Sequence, residues 1–487
     1  MSELLFLTVH QLASAIRERK TSAVEVLNTH LSHIAQHNPA LNAIVTLSEE
    51  QALRRAKEAD AALERGEVWG PLHGVPVTVK DVFETAGLRT TSSYKPLADY
   101  VPQKDATVVA RLRAAGAIIL GKTNMPELAM DIQSDSPLFG RANNPWDPSR
   151  TPGGSTGGGA TAVAAGLSPL EIGSDIAGSI RIPAHFCGVF GLKPTEHRVP
   201  GTGHIPGLPG EPKGVRYMAV FGPLARSVQD LKLCLSLIAG PDGQDWDVPP
   251  VPLDDPPERD LHELRFAWTD NFGGVPVTSD TRAALEKLAE KLAELGCHVE
   301  HHNPPGFDFE VAWQTYGEIL GTGVSVGMPF PQRMLGYLLA PVMYRDEPAY
   351  RAMMRGCALN MPRYVSALAR RDALVGSMER FLADWDAWLC PVSSTPAFTH
   401  RRSGTKGPGQ PIEVDDQEVP YWIGSASYTV ISNLTGNPAV VVPLACSKDG
   451  LPIGVQVVGK RWRDMELLAI ADQLARVTGG FQRPPGY

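Results

Sequence analysis

Residues 151–195 read TPGGSTGGGATAVAAGLSPLEIGSDIAGSIRIPAHFCGVFGLKPT, and the reading of this run decides the fold. It opens on a glycine-rich loop holding one serine, Ser155, and carries a second, Ser179, within Asp175-Ile176-Ala177-Gly178-Ser179-Ile180-Arg181. Glycine is needed where φ is positive or where backbone must approach a ligand closely. Gly153, Gly154, Gly157, Gly158 and Gly159 crowd Ser155 on both sides, so the loop can aim N–H groups inward. A phosphate cradle is the first rival reading. The P-loop pattern requires Lys and then Ser or Thr after its last glycine, whereas Ala160-Thr161 follows here, and the dinucleotide fingerprint fits poorly as well.

Upstream, Val75-Pro76-Val77-Thr78-Val79 is a short β-branched run ending at Lys80. Taken alone, a lysine in this place is an ordinary snorkelling side chain more often than a catalyst. A helix from about residue 106 to 115, the strand Ala117-Ile118-Ile119-Leu120 and the turn Gly121-Lys122-Thr123-Asn124 complete a βαβ-like unit. The first 65 residues read as three helices opened by the capping boxes Thr8-x-x-Gln11, Ser22-x-x-Glu25 and Ser48-x-x-Gln51. In the second of these, Val24, Val26, Leu27, Leu31 and Ile34 form one apolar face.

Downstream, the pattern predicts a strand over residues 264–268, an amphipathic helix over 280–295, a mostly helical stretch over 309–382 and a strand over 387–391. A polar segment follows over residues 400–418, readable either as a mobile lid or as a solvated linker. Strands near Val440 and Val455 and a helix from Asp464 to about Val477 close the chain.

Composition sets outer bounds. The chain of 487 residues is 43% hydrophobic, which is globular, and its 45 basic and 53 acidic residues leave a net charge of −8 with no basic run. Nucleic acid is therefore an unfavourable direct partner. The six cysteines are scattered without CxxC spacing, which fits reduced thiols and predicts a cytoplasmic location. No apolar run approaches the roughly 20 residues that span a bilayer, and the N-terminus lacks a signal-peptide pattern. No HExxH motif or His/Cys cluster offers a metal, and no cofactor is expected.

Taken together, residues 151–195 resemble the amidase signature family, whose defining run is GGSSGG, a helix of short side chains, then D-x-G-G-S-[IV]-R-x-P. The resemblance extends from residues 70–81 to residues 433–438 and 451–456, nearly the whole chain. Two positions depart from it: Thr156 stands where serine is commoner and Ala177 where glycine is commoner. Neither change removes a catalytic side chain, although Ala177 adds a Cβ to the turn that would face the substrate carbonyl. The resemblance implies one α/β domain over residues 1–487, built on a single large mixed twisted sheet with helices on both sides. Within it lie N-terminal helices (1–65), a catalytic core (70–230), a variable helical region near the substrate entrance (about 305–385) and a C-terminal return to the core (386–487).

For chemistry, the resemblance implies a Ser/Ser/Lys set. Ser179 would be the nucleophile, Lys80 the base, and Ser155, after a cis peptide bond from Gly154, the bridge between them. The backbone N–H groups of Ile176, Ala177, Gly178 and Ser179 would form the oxyanion hole, and Ala129, Met130 and Ile132 would lie beside an acyl-binding channel, as in fatty acid amide hydrolases. A serine hydroxyl needs an activating base, and a buried lysine can be one. Asp175 and Arg181 read as a structural pair. A Ser/His/Asp triad through His185 competes, but Ser179 is followed by Ile180-Arg181 and not by the x-Gly of a GxSxG elbow.

The expected activity is hydrolysis of linear carboxylic amides, including anilides, with esters or carbamates as further substrates through the same acyl-enzyme. Carbamate hydrolysis as the main activity is one alternative. The A subunit of a glutamyl-tRNA amidotransferase is another, ranked lower because Thr195-Glu196-His197-Arg198-Val199-Pro200 departs from the T-Y-G-R-V-S run expected there. The expected partner is a small-molecule amide or carbamate, and the chain is expected to be a monomer or homodimer.

Overall fold

In the computed structural model, which describes residues 2–209, 213–345, 347–405, 407 and 409–487, eleven strands form one sheet. From one edge their order is Ile44–Leu47, Ile118–Thr123, Pro76–Lys80, Leu170–Asp175, Val220–Ala225, Phe190–Lys193, Ala439–Cys446, Pro452–Val458, Ala387–Pro391, Arg265–Trp268 and His298–His301. Pro76–Lys80 runs parallel to both its neighbours, and Arg265–Trp268 runs parallel to both of its own. The central strands between them pair antiparallel, so the sheet is mixed.

Both faces are covered, and the burial of alternate residues shows why. Side chains along a strand point to opposite faces in turn. In Ala439–Cys446, Val440 and Val442 join one hydrophobic cluster while Ala439 and Val441 join another. A strand buried on both faces needs an unbroken apolar run, which Ala439-Val440-Val441-Val442 supplies.

The N-terminal region departs from the three-helix expectation. Ser2–Phe6, Val9–Arg17, Ala23–Leu41 and Glu49–Glu64 are helices, and Ile44–Leu47 between the last two is the edge strand, paired antiparallel with Ile118–Thr123. Thr8 forms the full capping box with Gln11, and Ser22 accepts the Glu25 N–H. Ser48 caps nothing with its side chain. Its N–H donates to the Leu120 carbonyl, so the residue serves the strand edge, at φ −105° and ψ 43°.

The helical region over residues 309–382 consists of Phe309–Val324, Phe330–Met343, Pro348–Gly356 and Met361–Ala383. Residues 400–418, read as a lid or a linker, run into the antiparallel pair Ile412–Val414 and Gln417–Val419. Lys406 and Pro408 within that segment lie outside the described residues. Among the described residues no helix is long and apolar enough to cross a membrane.

Candidate active site

Lys80 closes its strand. The neighbouring Leu170–Asp175 strand runs parallel, with Val79 opposite Ile172, so Ser174 and Asp175 reach the same end of the sheet as the lysine. The glycine-rich loop then enters the helix Gly157–Ala164, all of whose residues are buried, and this brings Ser155 down onto the strand ends. Lys80 Nζ lies 2.7 Å from Ser155 Oγ and 3.1 Å from Ser174 Oγ. Lys80 and Ser155 are fully buried, whereas Ser179 keeps 3% exposure. The Gly154–Ser155 peptide bond is cis.

Two further contacts join the loops. Thr156 N–H donates to the Ser179 carbonyl at 3.1 Å, tying the Ser155 loop to the Ser179 turn. Ser134 Oγ donates to the Gly153 carbonyl and accepts the Gly157 N–H, both at 3.0 Å, and so spans the base of the glycine loop.

Burial lowers the Lys80 pKa from its usual 10.5 to about 7, against the opposing pull of Asp175 and Glu171. A low-polarity surrounding disfavours the ammonium more than these two carboxylates favour it. Near neutral pH the side chain is therefore substantially an amine, which an exposed lysine is not.

The turn after Asp175 is fixed peptide by peptide. In a trans peptide the C=O of one residue and the N–H of the next point in opposite directions. The carbonyls of Asp175, Ile176 and Gly178 accept from Asn433 Nδ2, the Tyr316 hydroxyl and the Ile182 N–H respectively. This turns the N–H groups of Ile176, Ala177 and Ser179 to the other side. The Ala177 carbonyl accepts from Thr429 Oγ1 at 2.7 Å, and the Gly178 N–H donates to Asp175 Oδ1 at 2.9 Å. Gly178, expected among the oxyanion donors, thus gives its N–H to the protein, with its own φ at +107°.

Asp175 and Arg181 form the structural pair expected of them, 2.8 Å apart and with no exposed side-chain surface. Burial would raise the Asp175 carboxyl, but Arg181 and the hydrogen bonds from Asn433 and the Ile180 N–H hold it well below the ordinary carboxylate range. Arg181 also reaches the Thr429 carbonyl, Ser432 Oγ, Gln456 and Asn433, which locks the turn against the helix Tyr421–Thr435.

His185 is engaged at both ring nitrogens. Nδ1 accepts the Gly454 N–H at 2.7 Å, so Nε2 carries the proton and donates to the Thr395 carbonyl at 3.1 Å. Burial lowers its pKa to about 4. Such a ring is a packing element with no free nitrogen for Ser179.

The expected channel residues separate. Ile132 is buried beside the glycine loop, where a Cβ on Gly154 would come within 2.7 Å of the Ile132 carbonyl carbon. Ala129 is half-buried, and Met130 is 40% exposed, so Met130 is neither a core residue nor enclosed. The sequence reading did not reach Ser134, Ser174, Tyr316 or Thr429. Ser174 stood one residue before the recognised Asp175, while the other three touch the site only through the tertiary fold. Five of the six cysteines are buried and Cys446 is exposed, and all are free.

A buried lysine hydrogen-bonded to a serine stands at the end of the mixed sheet, beside a turn that carries a second serine, in a C–N hydrolase of α/β architecture. The chain belongs to the Amidase family, whose profile matches residues 25–468. Among curated relatives it is 36% identical to the A subunit of the glutamyl-tRNA(Gln) amidotransferase of Symbiobacterium thermophilum, with 95% of each chain covered. Among solved structures it is 31% identical to an amidase at a TM-score of 0.79, covering 97% of this chain and 100% of that one. It is 27% identical to 6-aminohexanoate cyclic dimer hydrolase at a TM-score of 0.81, with 99% of each chain covered.

Proposed function

We propose that this chain is a hydrolase of linear carboxylic amides and anilides that works through an acyl-enzyme on Ser179. The observation that carries the reading is the buried Lys80 Nζ, 2.7 Å from Ser155 Oγ. The neutral amine donates an N–H to Ser174 Oγ and accepts the Ser155 hydroxyl proton, while Ser155 Oγ accepts the proton of Ser179. The Ser179 oxygen then attacks the carbonyl carbon, and the charge moves to the carbonyl oxygen. The N–H groups of Ile176, Ala177 and Ser179 stabilise that oxyanion. Collapse breaks the C–N bond, and the proton returns through Ser155 to the leaving nitrogen. Water, deprotonated along the same path, cleaves the acyl-Ser179 ester and regenerates the hydroxyl.

Carbamates and esters enter the same sequence, with an alkoxycarbonyl or carbamoyl group or a simple acyl group on Ser179. Ala129, Met130 and Ile132 are the proposed contacts of the acyl side, with Met130 at its open rim. The free thiols support a reducing, cytoplasmic setting. No cofactor is invoked, and the working unit is a monomer or homodimer.

A second reading, the A subunit of an amidotransferase, draws support from the curated relative that bears this name. In this chain the departing run is committed to structure: Thr195 and Arg198 bind Asp464, and Glu196 pairs with Arg371. The purified chain should hydrolyse a panel of aliphatic amides, anilides and carbamates, and Ser179→Ala should abolish this without unfolding. Turnover of glutamine with no turnover of that panel, together with association into a larger complex on size-exclusion chromatography, would favour the amidotransferase reading.

A further inference from the structure

Glu171 is a fully buried carboxylate with no assigned part in the chemistry. It lies on the Leu170–Asp175 strand with its Cα opposite Thr78, two residues before Lys80, so Glu171, Thr78 and Lys80 share one face of the sheet. Lys80 is in turn opposite Thr123, and the Thr123 hydroxyl donates to Glu171 Oε1 at 2.6 Å. Glu171 Oε2 is buried with no hydrogen-bond partner among the described residues. The helix that follows Ser155 closes over it: a Cβ on Gly159 would come within 2.4 Å of Glu171 Cγ. The glycine run therefore both presents Ser155 and seats the helix on this carboxylate.

Resting on the Ser/Ser/Lys reading above, we propose that Glu171 is a positioning residue that sets the protonation of Lys80 from the neighbouring strand. The charged groups acting on Glu171 are Lys80 and Lys122, and those acting on Lys80 are Glu171 and Asp175. The His204 ring is also within electrostatic reach of Lys80, and burial keeps it uncharged. The helix Gly157–Ala164 contributes no titratable side chain. Asp175 is held ionised by Arg181 and acts as a constant charge. Glu171 is the variable one, because burial raises its carboxyl to about 7, into the range of Lys80. An ionised Glu171 favours the ammonium and a neutral Glu171 favours the amine.

Glu171→Gln keeps an oxygen for Thr123 but removes the anion, so Lys80 gives up its proton more readily. The acidic limb of kcat/KM should move down by about one pH unit, with KM little changed. Thr123→Val removes the larger of the two hydroxyl contributions, from Thr123 and Thr78, that stabilise the ionised carboxylate and should move the limb the same way by less. The double variant should move no further than Glu171→Gln alone. An activated aryl ester keeps weak variants measurable. A folded Glu171→Gln with an unmoved or raised midpoint overturns the proposal, and if that variant does not fold, an unmoved midpoint in Thr123→Val does so. Persistence of the limb in Lys80→Ala, in contrast, overturns the base assignment itself and is independent of Glu171.

Discussion

Thr429 Oγ1 donates to the Ala177 carbonyl at 2.7 Å, across 252 residues of chain. Through the planar peptide, this bond holds the Gly178 N–H toward Asp175 and fixes the plane beside the proposed oxyanion donors. Thr429→Val keeps the shape and removes the hydroxyl. One hydrogen bond contributes about 1 kcal/mol, so kcat should fall by about 5- to 10-fold with KM nearly unchanged. Thr429→Ser should recover most of the loss. A Val variant with wild-type kcat would show that the turn holds itself.

Ser174 and Ser155 both touch Lys80 Nζ, and the proposed roles separate them. Ser155→Ala breaks the proton path, and activity should fall at least as far as the 10²–10⁴-fold that general acid–base catalysis contributes. Ser174→Ala removes only an acceptor that orients the amine, and about a 10-fold loss in kcat/KM is expected. Equal losses in the two variants, measured on one amide substrate, would mean that Ser174 and not Ser155 alone carries the proton.

How much of this was legible in the sequence depends on how local each signal is. Ser155, Ser179, Asp175 and Arg181 fall within the single run 151–195, and the glycines around Ser155 mark a backbone that must pass close to something. Lys80 was readable as a strand end, and the family resemblance then supplied its role. Tyr316 and Thr429 were not readable, because a lone Tyr or Thr on an apolar helix carries no mark of the distant carbonyl it meets. The edge strand Ile44–Leu47 was missed for a related reason: four residues between two strong helical patterns show no alternation of their own. Ser48 had a capping sequence, but its N–H was already taken by Leu120, and tertiary pairing outweighed the local cap.

The Asp175–Arg181 pair predicts a stability effect distinct from the catalytic one. Asp175→Asn leaves a fully buried guanidinium without its carboxylate, a change that costs about 3–5 kcal/mol. The urea midpoint should fall sharply, while that of Ser179→Ala stays near wild type. Because the folded carboxyl is depressed, its stabilisation is present above the unfolded value of about 3.9 and is lost as pH falls through the folded value. Acid unfolding of wild type should therefore be steeper than that of the Asn variant, and indistinguishable slopes would count against this pair.

The choice of base is decided by a pH profile. Lys80 is lowered to about 7 and His185 to about 4, both by burial, so the two candidates place the acidic limb in different ranges. If Lys80 is the base, kcat/KM on a substrate that does not titrate should rise through a midpoint near 7 and level off on the alkaline side. Below that midpoint the ammonium cannot accept the Ser155 proton. Lys80→Ala should remove both the limb and most of the rate. His185→Ala should keep the limb where it is while lowering the melting temperature, since it removes a ring bonded to Gly454 and Thr395. If His185→Ala erases the limb and Lys80→Ala retains it, the proton path runs through the histidine and the lysine assignment is wrong.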